Sequence, residues 1–135
     1  MQMKTVLIVD DDADDIKFLR TAIRYVDASI QCINASNGQG ALDILANASF
    51  LQPDYIFLDL NMPRMDGREC LKRIKNIASL EDIPVIIYST SKREVVELET
   101  VPKGAVYFLT KPTKLSVLKE QVSNIFDGKW ELIRR

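Results

Sequence analysis

The chain contains no histidine among its 135 residues. That absence removes every histidine triad, zinc–histidine site and imidazole base. Any chemistry must therefore run on carboxylates, hydroxyls, lysine and backbone. Cysteine is scarce as well. Cys32 and Cys70 lie far apart and match no ligand spacing, so free buried thiols in a reducing compartment are expected. No apolar run approaches the ~20 residues that span a bilayer. The run "VLIV", residues 6–9, is too short for a secretory core and leads straight into acids, so a cytoplasmic protein without membrane contact is expected. Net charge is −1, and no basic patch argues for nucleic acid.

What is present is ordinary in bulk. Apolar residues at 47 % and charged residues at 27 % fit a globular domain, and the length suits a single one. Short segments rich in Val, Ile, Tyr and Phe predict strands at 5–9, 30–35, 55–60, 84–89 and 105–109. Several are nearly continuous rather than alternating, as in strands covered on both faces. Helical spacing links Ile16, Leu19, Ile23 and Val26, then Ala41, Leu42 and Leu45 after "NG", then Leu71, Ile74 and Ile77 after Gly67. A weaker helix covers 92–99, ended by Pro102, and a fifth holds Leu115, Leu118, Val122 and Ile125. Five strands alternating with five helices predict an α/β fold, a doubly wound parallel sheet. Residues 127–135, "DGKWELIRR", read as a short tail without an output domain, with Trp130 folded onto the last helix.

The charge is not evenly spread. "VDDDADD" places Asp10, Asp11, Asp12, Asp14 and Asp15 directly after the first strand. Acids in a first helical turn favour the positive end of the macrodipole, which suits Asp12, Asp14 and Asp15 as a solvated face. It suits Asp10 and Asp11 less, because they sit where a buried strand ends. In open parallel sheets, sites form beyond the carboxyl ends of the strands. There Asp10 and Asp11 meet Asp59 from strand three, Ser89 and Thr90 from strand four, and Lys111 after strand five. Carboxylates about 4 Å apart repel by roughly 1 kcal/mol in water and about 4 kcal/mol at a dielectric near 20. Lys111 offsets part of this. Mg²⁺, which takes carboxylates, water and phosphate oxygens, would offset the rest. Asp59, ionised at neutral pH, needs no general base to attack phosphorus.

Four motifs in order, "VDDD", "DLNMPRMDG" (59–67), "YSTS" (88–91) and "KP" (111–112), give the chain a resemblance to the receiver domain of two-component response regulators. The resemblance covers residues 4–126 and is closest to the single-domain chemotaxis type. It implies a flavodoxin-like, five-stranded sheet of order 2-1-3-4-5. It implies Asp59 as phosphoacceptor, with Mg²⁺ held by Asp10, Asp11, Asp59 and the backbone carbonyl of Asn61. Ser89, rather than Thr90, matches the hydroxyl that bonds the phosphoryl group, and Lys111 the lysine that pairs with it. Ser89 and Phe108 match the two switch residues, and the Lys111–Pro112 peptide is expected to be cis. Gly67 is expected to serve a positive-φ turn, while Met62 and Met65 read as packing residues. "VPKG" (101–104) replaces the commoner alanines ahead of strand five.

The implied function is that of a stand-alone response regulator. A histidine kinase or histidine phosphotransfer protein would phosphorylate Asp59, with slow autodephosphorylation rather than enzymatic turnover. The face of the fourth helix, fifth strand and fifth helix would then bind an output protein, or a second copy in a homodimer. One alternative is a phosphorylation-independent adaptor on the same scaffold. Another is a phosphohydrolase of the haloacid-dehalogenase type. That type carries a second aspartate two residues after the nucleophile, where this chain has Asn61.

Overall fold

The computed structural model describes residues 4–47, 52–90 and 107–129. Its elements are β1 (Thr5–Val9), α1 (Ala13–Val26), β2 (Gln31–Ala35), α2 (Gly38–Ala46), β3 (Tyr55–Leu58), α3 (Gly67–Lys75), a 3₁₀ turn (Ala78–Leu80), β4 (Val85–Ser89), β5 (Tyr107–Thr110) and α4 (Leu115–Phe126). The helix expected at 92–99, residues 105–106 of the fifth strand and Trp130 lie outside the described residues. The expected fifth helix is therefore α4 here.

All strand pairs are parallel, in the order β2-β1-β3-β4-β5. β1 is an interior strand and all five of its residues are buried, which explains why "TVLIV" shows no polar alternation. Its side chains divide between the faces. Val6 and Ile8 join Phe57, Ile86, Tyr88 and Leu109 beneath α1 and α4. Leu7 and Val9 join Ile56, Leu58, Val85 and Ile87 beneath α2 and α3. Each such side chain contributes about 1.5–3 kcal/mol when fully buried. β2, at the sheet edge, is mostly exposed or half-buried, and its sequence "QCINA" carries polar residues at Gln31 and Asn34.

α1, α2 and α3 begin at polar caps, whereas Lys114 ahead of α4 makes no side-chain cap bond. Asp12 accepts from the N–H groups of Asp14 and Asp15, Asn37 from Gly40, and Asp66 from Arg68 and Glu69. α3 ends at Lys75, two residues short of the Ile77 that the periodicity includes. The Asn76 N–H closes back onto Lys72, and the Lys75 ammonium donates to the carbonyls of Glu81 and Ile83. Ile77 is left exposed at the start of the 3₁₀ turn instead of on the α3 face. Both cysteines are free, Cys70 buried and Cys32 half-buried.

Candidate acidic site at the carboxyl ends of the strands

The parallel topology delivers Asp10, Asp59, Ser89 and Lys111 to one end of the sheet. The Asp10 N–H bonds the Ala35 carbonyl at 3.1 Å, the Asp59 N–H that of Val9 at 2.9 Å, and the Lys111 N–H that of Ser89 at 2.8 Å. Each of these side chains thus leaves the sheet from a backbone already fastened to the neighbouring strand. Asp10 is 1 % exposed, Asp59 5 % and Ser89 2 %. Asp11 is exposed at the mouth. Carboxylate oxygens of Asp10, Asp11 and Asp59 lie within 4.8 Å of one another.

Lys111 occupies the middle of this charge. Its ammonium donates to Asp10 Oδ2 at 2.8 Å and to Asp15 Oδ2 at 2.7 Å, and stands 3.7 Å from Asp59 Oδ2. It also lies 5.3 Å from the centroid of the Tyr88 ring, a cation–π distance. Burial disfavours the ammonium, but the bonds to Asp10 and Asp15 and the charge of Asp59 outweigh it, so its pKa rises. Asp59 responds oppositely. Burial pushes its carboxyl up, Lys111 pulls it back, Asp10 and Asp11 repel it, and the outcome is about 6. Asp10 is also raised, chiefly by burial, against its bond from Lys111.

The site takes up Asn61 as well. Its N–H lies 3.4 Å from Asp59 Oδ1, and its side-chain amide donates toward Ser89 Oγ at 3.4 Å. Among the described residues, the Asp59 oxygens make long contacts with Asn61 and Lys111. Thr90 is exposed just beyond β4, whereas Ser89 is buried inside it. Phe108 is half-buried and packs with Ile87 and its neighbours on the α2–α3 face. Met62 is buried and Met65 half-buried, both as packing residues.

Three expectations are corrected. Asp15 is not simply part of a solvated face, because it holds the Lys111 ammonium. No local pattern marks this pair, since the partners are separated by 96 positions. The Lys111–Pro112 peptide is trans, since no cis bond occurs among the described residues. Trans is the form ordinarily favoured, and the lysine reaches both acids without the cis bend. Gly67 does not have positive φ; the left-handed residue of its loop is Arg64, at φ 66°. Gly67 is required for close approach. A Cβ there would lie 2.2 Å from the Asp59 carbonyl oxygen and 2.6 Å from Leu60 Cα.

Three comparisons bear on this geometry. Residues 6–123 match the family described as response regulator receiver domain. A protein-glutamate methylesterase/protein-glutamine glutaminase of Methanococcoides burtonii is 32 % identical over 98 % of this chain, which spans only 38 % of that relative. The response regulator Rcp1 of Synechocystis sp. is 29 % identical over 90 % of this chain and 86 % of its own length. Among solved structures, the phosphorylated cyanobacterial phytochrome response regulator RcpA superposes with a TM-score of 0.84 at 31 % identity, covering 93 % of each chain. The Mn²⁺-bound form of Rcp1 gives 0.80 at 29 % identity, covering 95 % of each.

Proposed function

The chain belongs to the response regulator receiver family, and on that premise we propose that it accepts a phosphoryl group on Asp59. The observation that carries the reading is the meeting of three carboxylates within 4.8 Å, with one ammonium 3.7 Å from Asp59. An Asp59 oxygen forms the new O–P bond as the P–N bond of a donor phosphohistidine breaks. The imidazole leaves with that bonding pair. The donor is a histidine kinase or a histidine phosphotransfer protein.

The donor set fits magnesium: three hard oxygen ligands, crowded enough to repel one another, facing an exposed mouth at Asp11. Asp10, Asp11, Asp59 and the Asn61 carbonyl would hold the ion. When bound, it supplies positive charge that screens the phosphoryl oxygens. Lys111 supplies a second positive charge. Ser89, already in contact with Asn61, supplies a hydroxyl for the phosphoryl group.

The product acyl phosphate draws Ser89 toward residue 59 and shifts Phe108 inward, biasing two states of a protein-binding surface that includes β5 and α4. The chain is then a slowly self-dephosphorylating switch rather than a turnover enzyme. The alternative of an unphosphorylated adaptor predicts no covalent change. Mass spectrometry after incubation with acetyl phosphate and Mg²⁺ separates the two. The expected result is one phosphoryl on Asp59, absent from Asp59→Asn. An unmodified wild-type chain, or full labelling of Asp59→Asn, would overturn the reading.

A further inference from the structure

Both carboxylate oxygens of Asp10 already accept a hydrogen bond before any cation arrives. Its Oδ1 accepts the Asp12 N–H at 3.0 Å, and its Oδ2 accepts Lys111 at 2.8 Å. A cation bound by Asp10, Asp11 and Asp59 would share Asp10 with the lysine and repel its ammonium. An ammonium pushed off Asp10 would stand unpaired beside a dication in a largely buried pocket, its side chain only 9 % exposed. A second acceptor is already in place. Asp15 Oδ2 lies 2.7 Å from the same nitrogen, while Asp15 itself is not among the three clustered carboxylates.

We propose that Asp15 is a positioning residue for Lys111, anchoring the ammonium while a dication draws Asp10 away. The first turn of α1 fixes this anchor, because the Asp15 N–H is bonded to the Asp12 cap at 3.2 Å. The Tyr88 ring, 5.3 Å from the ammonium, lines its other side. Lys111 has three N–H donors. Two go to Asp10 and Asp15, and the third remains for Asp59 or a phosphoryl oxygen. Asp15 thus lets Lys111 exchange Asp10 for the phosphoryl group without leaving the site. Removing its charge ties Lys111 more tightly to Asp10 before the ion binds. It also leaves the ammonium with only Asp59, at 3.7 Å and itself drawn to the dication, as a counter-charge afterwards. Both effects weaken cation binding, although Asp15 touches no cation. The inference rests on the reading of this pocket as a cation and phosphoryl site.

The test is calorimetric titration of the full chain with Mg²⁺ alone. Asp14→Asn serves as the charge control, because Asp14 is exposed in the same helical turn. Asp15→Asn should raise the Mg²⁺ dissociation constant about five-fold and Asp14→Asn less than about two-fold, a coupling of ordinary size for contacting residues. In a Lys111→Met background, the Asp15→Asn effect should fall to the level of Asp14→Asn. Equal effects of the two single variants would overturn the proposal. So would an Asp15→Asn effect that persists without Lys111, or a wild-type chain that binds no Mg²⁺. The two single variants decide the first criterion even where Lys111→Met does not fold. Acetyl phosphate labelling of wild type runs in parallel. Failure there refutes the phosphoacceptor reading and leaves the magnesium comparison legible.

Discussion

The loop after β1 and the loop after β3 each deliver a buried aspartate and then start a helix on an aspartate cap, Asp12 for α1 and Asp66 for α3. They are held differently. The first loop is held by charge: Asp10 is bonded to the Asp12 N–H and to the Lys111 ammonium. The second is held by contact. The Gly67 Cα lies against the Asp59 carbonyl, the Gly67 and Met62 N–H groups both bond Leu60, and Leu60 and Met62 are buried in the core. Ion pairs respond to pH, salt and competing cations, whereas close-packed backbone does not. The proposed phosphoacceptor, Asp59, therefore sits on the sterically fixed loop, and Asp10, bonded to Lys111, sits on the other.

Gly67→Ala attacks the packed loop and should have the largest effect. The atoms nearest the new methyl are backbone, at 2.2 and 2.6 Å, and cannot rotate aside. A loss of about 3 kcal/mol or more in urea unfolding is expected, the upper end of overpacking costs. A loss below about 1 kcal/mol would mean that the loop is not sterically fixed.

Asp59→Asn tests the electrostatic half. The wild-type carboxyl, raised to about 6, holds in the folded state a proton that the unfolded chain loses near 4. Stability from this group is thus complete below about pH 4 and is lost as pH rises through about 6. In metal-free buffer near pH 7, Asp59→Asn should be more stable than wild type by up to about 3 kcal/mol. The gap should close as the pH falls toward 4, and saturating Mg²⁺ should narrow it. A gap independent of pH would place the destabilisation elsewhere.

The caps offer a smaller comparison. Asp12→Ala and Asp66→Ala should each cost about 1 kcal/mol, the usual worth of an aspartate cap. Mg²⁺ should raise the melting temperature of both, because it binds the folded state. Asp11→Ala should lose most of that rise. Equal losses in Asp11→Ala and Asp12→Ala would misplace the cation. The smallest effect belongs to Thr90→Ala, within about 0.5 kcal/mol, as for other exposed positions. Ser89→Ala should blunt the change in partner affinity caused by beryllofluoride, and Thr90→Ala should not.

The sheet was legible because parallel strands buried on both faces leave continuous apolar runs, as in "TVLIV" and "VIIYS". Their carboxyl ends were legible too, so Asp10, Asp59, Ser89 and Lys111 could be brought together before any coordinates. What sequence did not carry was contact across long separations. Asp15 looks like any acid in a first helical turn until Lys111 arrives beside it. Gly67 could be recognised as a special position, but glycine serves positive φ and close approach alike, and only the Asp59 carbonyl distinguishes them. Ile77 kept the helical period beyond the end of the helix, because Lys75 turns the chain through two distant carbonyls.

Lys111 meets Asp10 across 101 positions of sequence. In synthesis the segments of β1, β2 and β3, and with them the acids, precede the lysine that balances them. Contacts of such separation form late, after the loop-closure entropy has been met by other pairings. Until β5 docks, the carboxyl edge of the nascent sheet is an uncompensated anionic rim. The site thus matures only once β5 has docked. Competence to take a phosphoryl group becomes a sign that the sheet has been completed.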